Sequence, residues 1–318
     1  MPLNPEIAQV LDKVARAARP HYYEMTPAAA RAAYEKSAPI LDIARIPMHC
    51  VEDVPVPVRD GATLRARLYH PAEPHWAQPQ PALMYCHGGG FTVGSVNTHD
   101  ALCRMFAQGA QCAVLSVDYR LAPEHRFPTA HHDVFDTYQW LHQHAGAYGI
   151  DASRIAVGGD SAGGTLATVC AVLARDAGIA PVLQLLIYPG VCARQDTESH
   201  RRLAQGYLLP RETIMWFFAQ YLRDERDRDD WRFAPLDGWR GAPDFHNVAP
   251  AWIATAEYDP LCDEGAAYAD KLRAAGNAVT FRCYAGMIHE FFKMGGFVPA
   301  VAKAHADAVA ALREAFQV

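Results

Sequence analysis

Hydrophobic positions along this chain change their period from one region to the next. Near the start, Ile7, Val10, Leu11 and Val14 recur at i, i+3, i+4 and i+7, which predicts a helix with one apolar face. Thr26-Pro27 predicts the start of a second helix, an N-cap residue followed by proline at the first helical position. From about Cys50 to His70 the period falls to two. Val54, Val56 and Val58, then Leu64, Ala66 and Leu68, flank the turn Arg59-Asp60-Gly61, the pattern of a β-hairpin. Beyond it, short apolar runs at 82–86, 113–117, 155–158, 183–188, 252–257 and 279–284 predict strands. Helical stretches fall between most of them, near 99–108, 130–144, 162–175 and 264–275, and Val309, Leu312 and Phe316 mark one face of a last helix. Continuous apolar strands separated by helices predict an α/β fold, a mostly parallel sheet of about eight strands covered on both faces.

One region breaks the alternation. Residues 192–247 carry no strand pattern, only a helix at 211–222 and the charge run Arg223-Asp-Glu-Arg-Asp-Arg-Asp-Asp230. The run is expected to be a solvated helix end or loop. Residues 46–191 and 248–318 are therefore expected to form the catalytic body, with 1–45 and 192–247 as a helical cap over it. In 211–222, Ile214, Phe217, Phe218 and Tyr221 form a bulky apolar stripe; Trp216 lies off it, and Tyr207 and Leu208 precede it. Most of that stripe is expected to pack on the body. One edge, with Tyr207, Leu208, Phe217 and Phe218, is expected to line a substrate pocket.

Composition narrows the classes. With 318 residues, 51% of them hydrophobic and 20% charged, the chain can bury a sizeable core. A formal net charge of −6 and no Lys/Arg cluster argue against nucleic acid as a partner. The first residues lack the basic and apolar regions of a secretory signal, and no apolar run approaches the length of a membrane span. Eight cysteines are scattered without a CxxC pair, which gives neither zinc nor redox spacing. They are expected to be reduced and buried, hence a cytoplasmic protein without metal and without contact to membrane.

Candidate chemistry begins at Gly159-Asp160-Ser161-Ala162-Gly163, a GxSxG sequence between an expected strand and an expected helix. Such a turn projects Ser161 Oγ above the sheet and aims the Ala162 N–H at a reacting oxygen. His87-Gly88-Gly89-Gly90 follows another strand, and its glycines allow backbone N–H groups to approach a developing oxyanion. Neither P-loop nor dinucleotide spacing is present. A serine nucleophile needs a base held by an acid. His131, His132, His142 and His144 lie along a helical stretch and its end, where surface placement is the default. His289 follows a strand by the short loop 285–288, and Asp259 follows another strand, both at the carboxyl end of the sheet. Asp263 competes as the acid, but it stands just before Glu264, where a helix N-cap is expected.

Together with Asp118-Tyr-Arg-Leu-Ala-Pro-Glu-His-Arg-Phe-Pro128, Asp259-Pro-Leu-Cys-Asp-Glu264 and Gly286-Met-Ile-His289, these motifs resemble the hormone-sensitive-lipase-like family of α/β-hydrolases, chiefly its bacterial carboxylesterases. The resemblance covers nearly the whole expected catalytic body. It implies a triad of Ser161, Asp259 and His289, and an oxyanion hole from the N–H groups of Gly89, Gly90 and Ala162. His87 and Gly88 would shape that loop, and Asp160 and Glu264 would support the site from behind. It also implies a small-molecule ester substrate, no cofactor and a homodimer. Each methylene of an acyl chain contributes about 0.8 kcal/mol while it fits, and the resemblance implies chains of about two to eight carbons. Two other functions stay open on the residues alone: amide or peptide hydrolysis by the same triad, and small-molecule binding on a non-catalytic hydrolase scaffold.

Overall fold

A computed structural model describes residues 2–318; residue 1 of the expected cap segment lies outside the described residues. The apolar runs form β1 (Cys50–Pro57), β2 (Thr63–His70), β3 (Gln80–Cys86), β4 (Ala113–Val117), β5 (Ile150–Asp160), β6 (Gln184–Ile187), β7 (Ala251–Tyr258) and β8 (Val279–Ile288). They make one eight-stranded sheet in the order β1-β2-β4-β3-β5-β6-β7-β8. The hairpin β1–β2 is antiparallel, with Val54 opposite Ala66 and Val56 opposite Leu64, and β2 pairs antiparallel with β4. From β4 to β8 every neighbouring pair is parallel. The inner strands β3, β4, β6 and β7 are buried almost throughout, as β4 shows with every residue buried, whereas the edge strand β8 is buried only over its last three residues.

The helices are α1 (Pro5–Ala17), α2 (Pro27–Ser37), α3 (Asp100–Ala110), α4 (Thr129–His144), α5 (Ala162–Asp176), α6 (Glu198–Arg202), α7 (Arg211–Tyr221), α8 (Cys262–Ala274) and α9 (Val301–Phe316). Asn4 and Thr26 cap the first two through their side chains, and each is followed by proline, as helix-start chemistry requires. Two apolar cores lie against the two faces of the sheet. One joins residues of α4, α5 and α8 to it. The other joins α3 and α9, and also takes Ile7 and Val10 of α1. A third, smaller cluster ties α2 and α7 to the body through Ala30, Tyr34, Ile214, Phe217, Val93 and Leu261. Among the described residues, no helix is long and apolar enough to cross a membrane.

The structure departs from the sequence pattern at several points. Strand β8 continues to Ile288 where a loop over 285–288 was expected. The chain bends at Gly286 (φ 70°), whose amide donates to Glu257 Oε2 at 2.8 Å, and pairing resumes at Tyr258–Ile288. Helix α8 begins at Cys262, with Leu261 at the cap position, so Asp263 is no N-cap. Its Oδ2 instead accepts the Ser199 amide of α6 at 2.7 Å.

Other departures concern burial. His131, expected at the surface, is 2% exposed with its Nδ1 2.9 Å from the Tyr221 hydroxyl. The charge run is not wholly solvated either. Asp227 and Asp230 are buried, each held by a nearby arginine (Arg223 and Arg232), because a short turn lets the guanidinium satisfy the carboxylate locally. All eight cysteines are free, as expected, but not all are buried: Cys50 and Cys262 are half-buried and Cys283 is exposed.

Candidate active site

Strand β5 ends at Asp160 and α5 begins at Ala162, which leaves Ser161 alone to make the turn. Its backbone sits at φ 54°, ψ −121°, a conformation side-chain-bearing residues rarely adopt. The neighbours hold it there. The Ser161 amide donates to Ile187 O at 2.9 Å, and its carbonyl accepts from Gly164 and Thr165. Gly163 is required by close approach, because a Cβ there would run into the Cys86 carbonyl of β3. The turn thus raises Ser161 Oγ at the carboxyl end of the sheet.

His289 and Asp259 reach the same place from the ends of β8 and β7. His289 Nε2 lies 3.0 Å from Ser161 Oγ, and His289 Nδ1 lies 2.6 Å from Asp259 Oδ2. Asp259 is fully buried, and its other oxygen accepts the Leu261 amide at 2.9 Å, which restrains the carboxylate beside the imidazole. Burial works against the imidazolium form of His289. The Asp259 charge and hydrogen bond, with Glu290 and Asp160 behind them, outweigh it and hold His289 above the ordinary histidine value. Asp263 makes no contact of this kind, since it faces α6.

The loop after β3 carries the glycine run. Gly89 (φ 119°) and Gly90 (φ 56°) both need left-handed backbone, and Gly89 O accepts the Thr92 and Val93 amides. A Cβ at position 90 would fall inside the ring of Phe217, so α7 closes directly on this loop. Asp160 anchors it from below: Oδ1 accepts the Gly88 amide at 3.0 Å and the Tyr85 hydroxyl at 2.8 Å, and His99 Nε2 lies 3.2 Å away. Burial opposes the Asp160 charge, but His99, Lys293 and the Tyr85 hydroxyl prevail and keep its carboxyl well below the usual range. His87 is buried against Tyr119, with ring centroids 4.3 Å apart. Burial, then repulsion from His99, lowers it to about 4, so it is a neutral spacer in the loop. The Asp118-to-Pro128 stretch braces the same loop: Tyr119 Oη donates to His87 O, and the Ala122 amide to Phe91 O.

Glu264 stands in the first turn of α8, fully buried. Its Oε1 accepts the amides of Val191 and Cys192 at 2.6 and 3.2 Å, and His200 Nε2 lies 2.9 Å from Oε2. Burial raises its carboxyl, partly offset by His200 and the two amides. It holds the 190–192 turn, whose Gly190 amide in turn donates to Ser161 O.

An apolar cavity of about 590 Å³ opens onto Ser161 and His289. Leu208, Phe217 and Phe218 line it, together with Gly89, Gly90 and Ala162. Tyr207 does not; its ring packs on Tyr258 with centroids 5.3 Å apart. The sequence pattern missed much of the wall. Val10 and Val14 of α1, Tyr22, Tyr34 of α2, Glu290 and Lys293 also face the cavity. The amphipathic stripe of α1 was a signal for the first two, whereas nothing local marks Tyr34 or Lys293.

Comparison with known proteins shows what the chain resembles. Residues 83–293 match a family model described as the α/β-hydrolase fold. The chain is 43% identical over 305 residues to an ethyl acetate hydrolase of Pseudomonas putida, an alignment covering 94% of each chain. It is 42% identical over 258 residues to a carboxylesterase of Mycobacterium tuberculosis, covering 80% of each. Among solved structures, a hyperthermophilic esterase of the archaeon Pyrobaculum calidifontis superposes with a TM-score of 0.91 at 37% identity, covering 99% of both chains.

Proposed function

The chain belongs to the α/β-hydrolase family, in its hormone-sensitive-lipase-like branch, and is a carboxylic-ester hydrolase; from that premise we propose that it hydrolyses short- to medium-chain acyl esters through Ser161, His289 and Asp259. The observation that carries the proposal is the unbroken line from Asp259 Oδ2 through both imidazole nitrogens to Ser161 Oγ, with steps of 2.6 and 3.0 Å. A carboxylate on Nδ1 favours the tautomer that leaves Nε2 free to accept the serine proton.

In the first half-reaction Ser161 Oγ attacks the ester carbonyl as Nε2 takes its proton. The negative charge grows on the carbonyl oxygen, within reach of the Gly89, Gly90 and Ala162 amides; the α5 N-terminus adds its positive end. Nε2 then protonates the departing alcohol, leaving an acyl-serine. Water enters in the alcohol's place, gives its proton to Nε2, and the sequence runs in reverse to release the acid. Residues 1–45 and 192–247 act as the cap, with Leu208, Phe217 and Phe218 on the acyl side. We further read the protein as cytoplasmic, since five of its eight thiols are buried and all are free.

The test is chemical. An alkyl p-nitrophenyl phosphonate should add to Ser161 alone, and Ser161→Ala should stay folded while kcat falls by roughly 10⁴-fold or more. Near-native turnover by Ser161→Ala on p-nitrophenyl butyrate would overturn the mechanism. The matching p-nitroanilide, expected to be a far poorer substrate, separates ester from amide hydrolysis.

A further inference from the structure

The residue that follows His289 has an unusual backbone. Glu290 sits at φ 64°, ψ 10°, in the left-handed region. A side-chain-bearing residue is strained there and persists only where its surroundings impose it. At Glu290 those surroundings come from the cap. Glu290 Oε1 accepts the hydroxyl of Tyr34, on α2, at 2.6 Å. The same hydroxyl accepts Lys293 Nζ at 2.7 Å, and that ammonium also lies 4.3 Å from the Tyr34 ring centroid. Tyr34 and Lys293 are 4% and 5% exposed, and all three residues face the cavity that holds Ser161 and His289.

Stability alone does not account for this arrangement. Glycine at 290 would remove the backbone strain, and an apolar residue at 293 would avoid burying an ammonium. Both costs are borne at one tie between a cap helix and the turn that presents the imidazole. We propose that Glu290, tied to α2 by Tyr34 and backed by Lys293, is a positioning residue for His289, fixing its turn and setting a second carboxylate beside the base. The proposal rests on the triad mechanism above and extends it to the cap.

The charged and titratable groups around the base are few. Asp259 bonds His289 from the end of β7, the Asp160 charge reaches it from the end of β5, and Tyr188 stands at the end of β6 with its ring 4.7 Å away. Around Glu290 stand Tyr34, Tyr22, Tyr188 and, through Tyr34, Lys293. Asp42, just after α2, and Asp160 also feel the Lys293 charge. Asp259 acts on the imidazole by its charge and by a direct hydrogen bond. Glu290 acts by charge and by the shape of the turn, so the two effects are separable.

The experiment compares Glu290→Gly, Glu290→Gln and Tyr34→Phe with the wild type in the full chain. It measures kcat and KM on p-nitrophenyl butyrate across pH, with thermal melts. Glu290→Gly relieves the left-handed turn but leaves the buried Tyr34 hydroxyl without its acceptor, so its Tm should hold or fall modestly, and it should lose about tenfold in kcat with KM within about twofold. Its acid limb should move to lower pH, since an imidazolium with one carboxylate fewer deprotonates sooner. Glu290→Gln should move the limb the same way with a smaller loss of kcat, because its amide still accepts from Tyr34. Tyr34→Phe should lower kcat with no downward move of the limb. Wild-type kcat and an unmoved limb in both Glu290 variants would overturn the inference; should the glycine variant not fold, an unmoved limb in Glu290→Gln does so alone. Ser161→Ala, run alongside, keeps the two proposals apart. If it is inactive while the Glu290 variants match the wild type, only this inference fails; if it remains active, the triad itself fails.

Discussion

Asp160 Oδ1 accepts the Gly88 amide at 3.0 Å, so the residue just before Ser161 fastens the glycine loop that follows β3. One buried carboxylate thereby ties the glycine loop to the turn that carries Ser161. Asp160→Ala would leave the Gly88 amide, the Tyr85 hydroxyl and His99 without their acceptor. We expect a loss of about 3 kcal/mol in urea unfolding, together with a lower kcat. The pH dependence follows from the direction of the shift. A folded-state value below the unfolded one contributes stability that is complete above the unfolded carboxyl value, about 3.9, and is lost as pH falls toward the folded one. Between pH 6 and pH 3 the urea midpoint of the wild type should therefore fall more steeply than that of Asp160→Asn. Parallel curves would show that Asp160 is not the ionised anchor.

The two acids after β7 separate cleanly. Asp259→Asn should cost several orders of magnitude in kcat, since the imidazole loses the partner that sets its tautomer. Asp263→Ala should leave kcat nearly as it is and cost about 1 kcal/mol, the worth of its hydrogen bond to the Ser199 amide. Steady-state kinetics and a denaturation curve for each variant decide it, and the reverse pattern would move the acid to Asp263.

The rising limb of kcat/KM with pH should report His289. Because its carboxylate neighbours hold it above the ordinary value of about 6.5, the neutral base should form only at higher pH than for a free imidazole. A pH profile with p-nitrophenyl butyrate checks this. A limb at or below that ordinary value would mean that burial, not Asp259, governs the site.

Acyl length should be set where Phe217 covers Gly90. Each added methylene contributes about 0.8 kcal/mol while the pocket holds it, then nothing. We expect kcat/KM on p-nitrophenyl esters to rise from acetate to butyrate or hexanoate and to decline by dodecanoate, with roughly 10-fold discrimination per misfit group. Phe217→Ala should shift the optimum to longer chains. A wild-type profile still climbing at hexadecanoate would refute a small pocket.

Some of this was legible in the chain because it is local. The GxSxG turn, the strand before it and the helix after it lie within one short segment; the motif marks the turn and the apolar pattern marks the strand and the helix. Asp259 and His289 could be read because a parallel sheet delivers the ends of successive strands to one edge, so position after a strand implies position in space. Other features depended on partners far away in sequence. Asp263 serves α6 because Ser199, 64 residues distant, meets it. His131 is buried because Tyr221 comes to bond it, and Tyr207 leaves the cavity for Tyr258. Tyr34 and Glu290 are 256 residues apart and share a hydrogen bond that no spacing announces. Periodicity says which face of an element is apolar and which residues end a strand. Which element meets that face, and which polar atoms must then find one another out of water, is decided only when the whole chain packs.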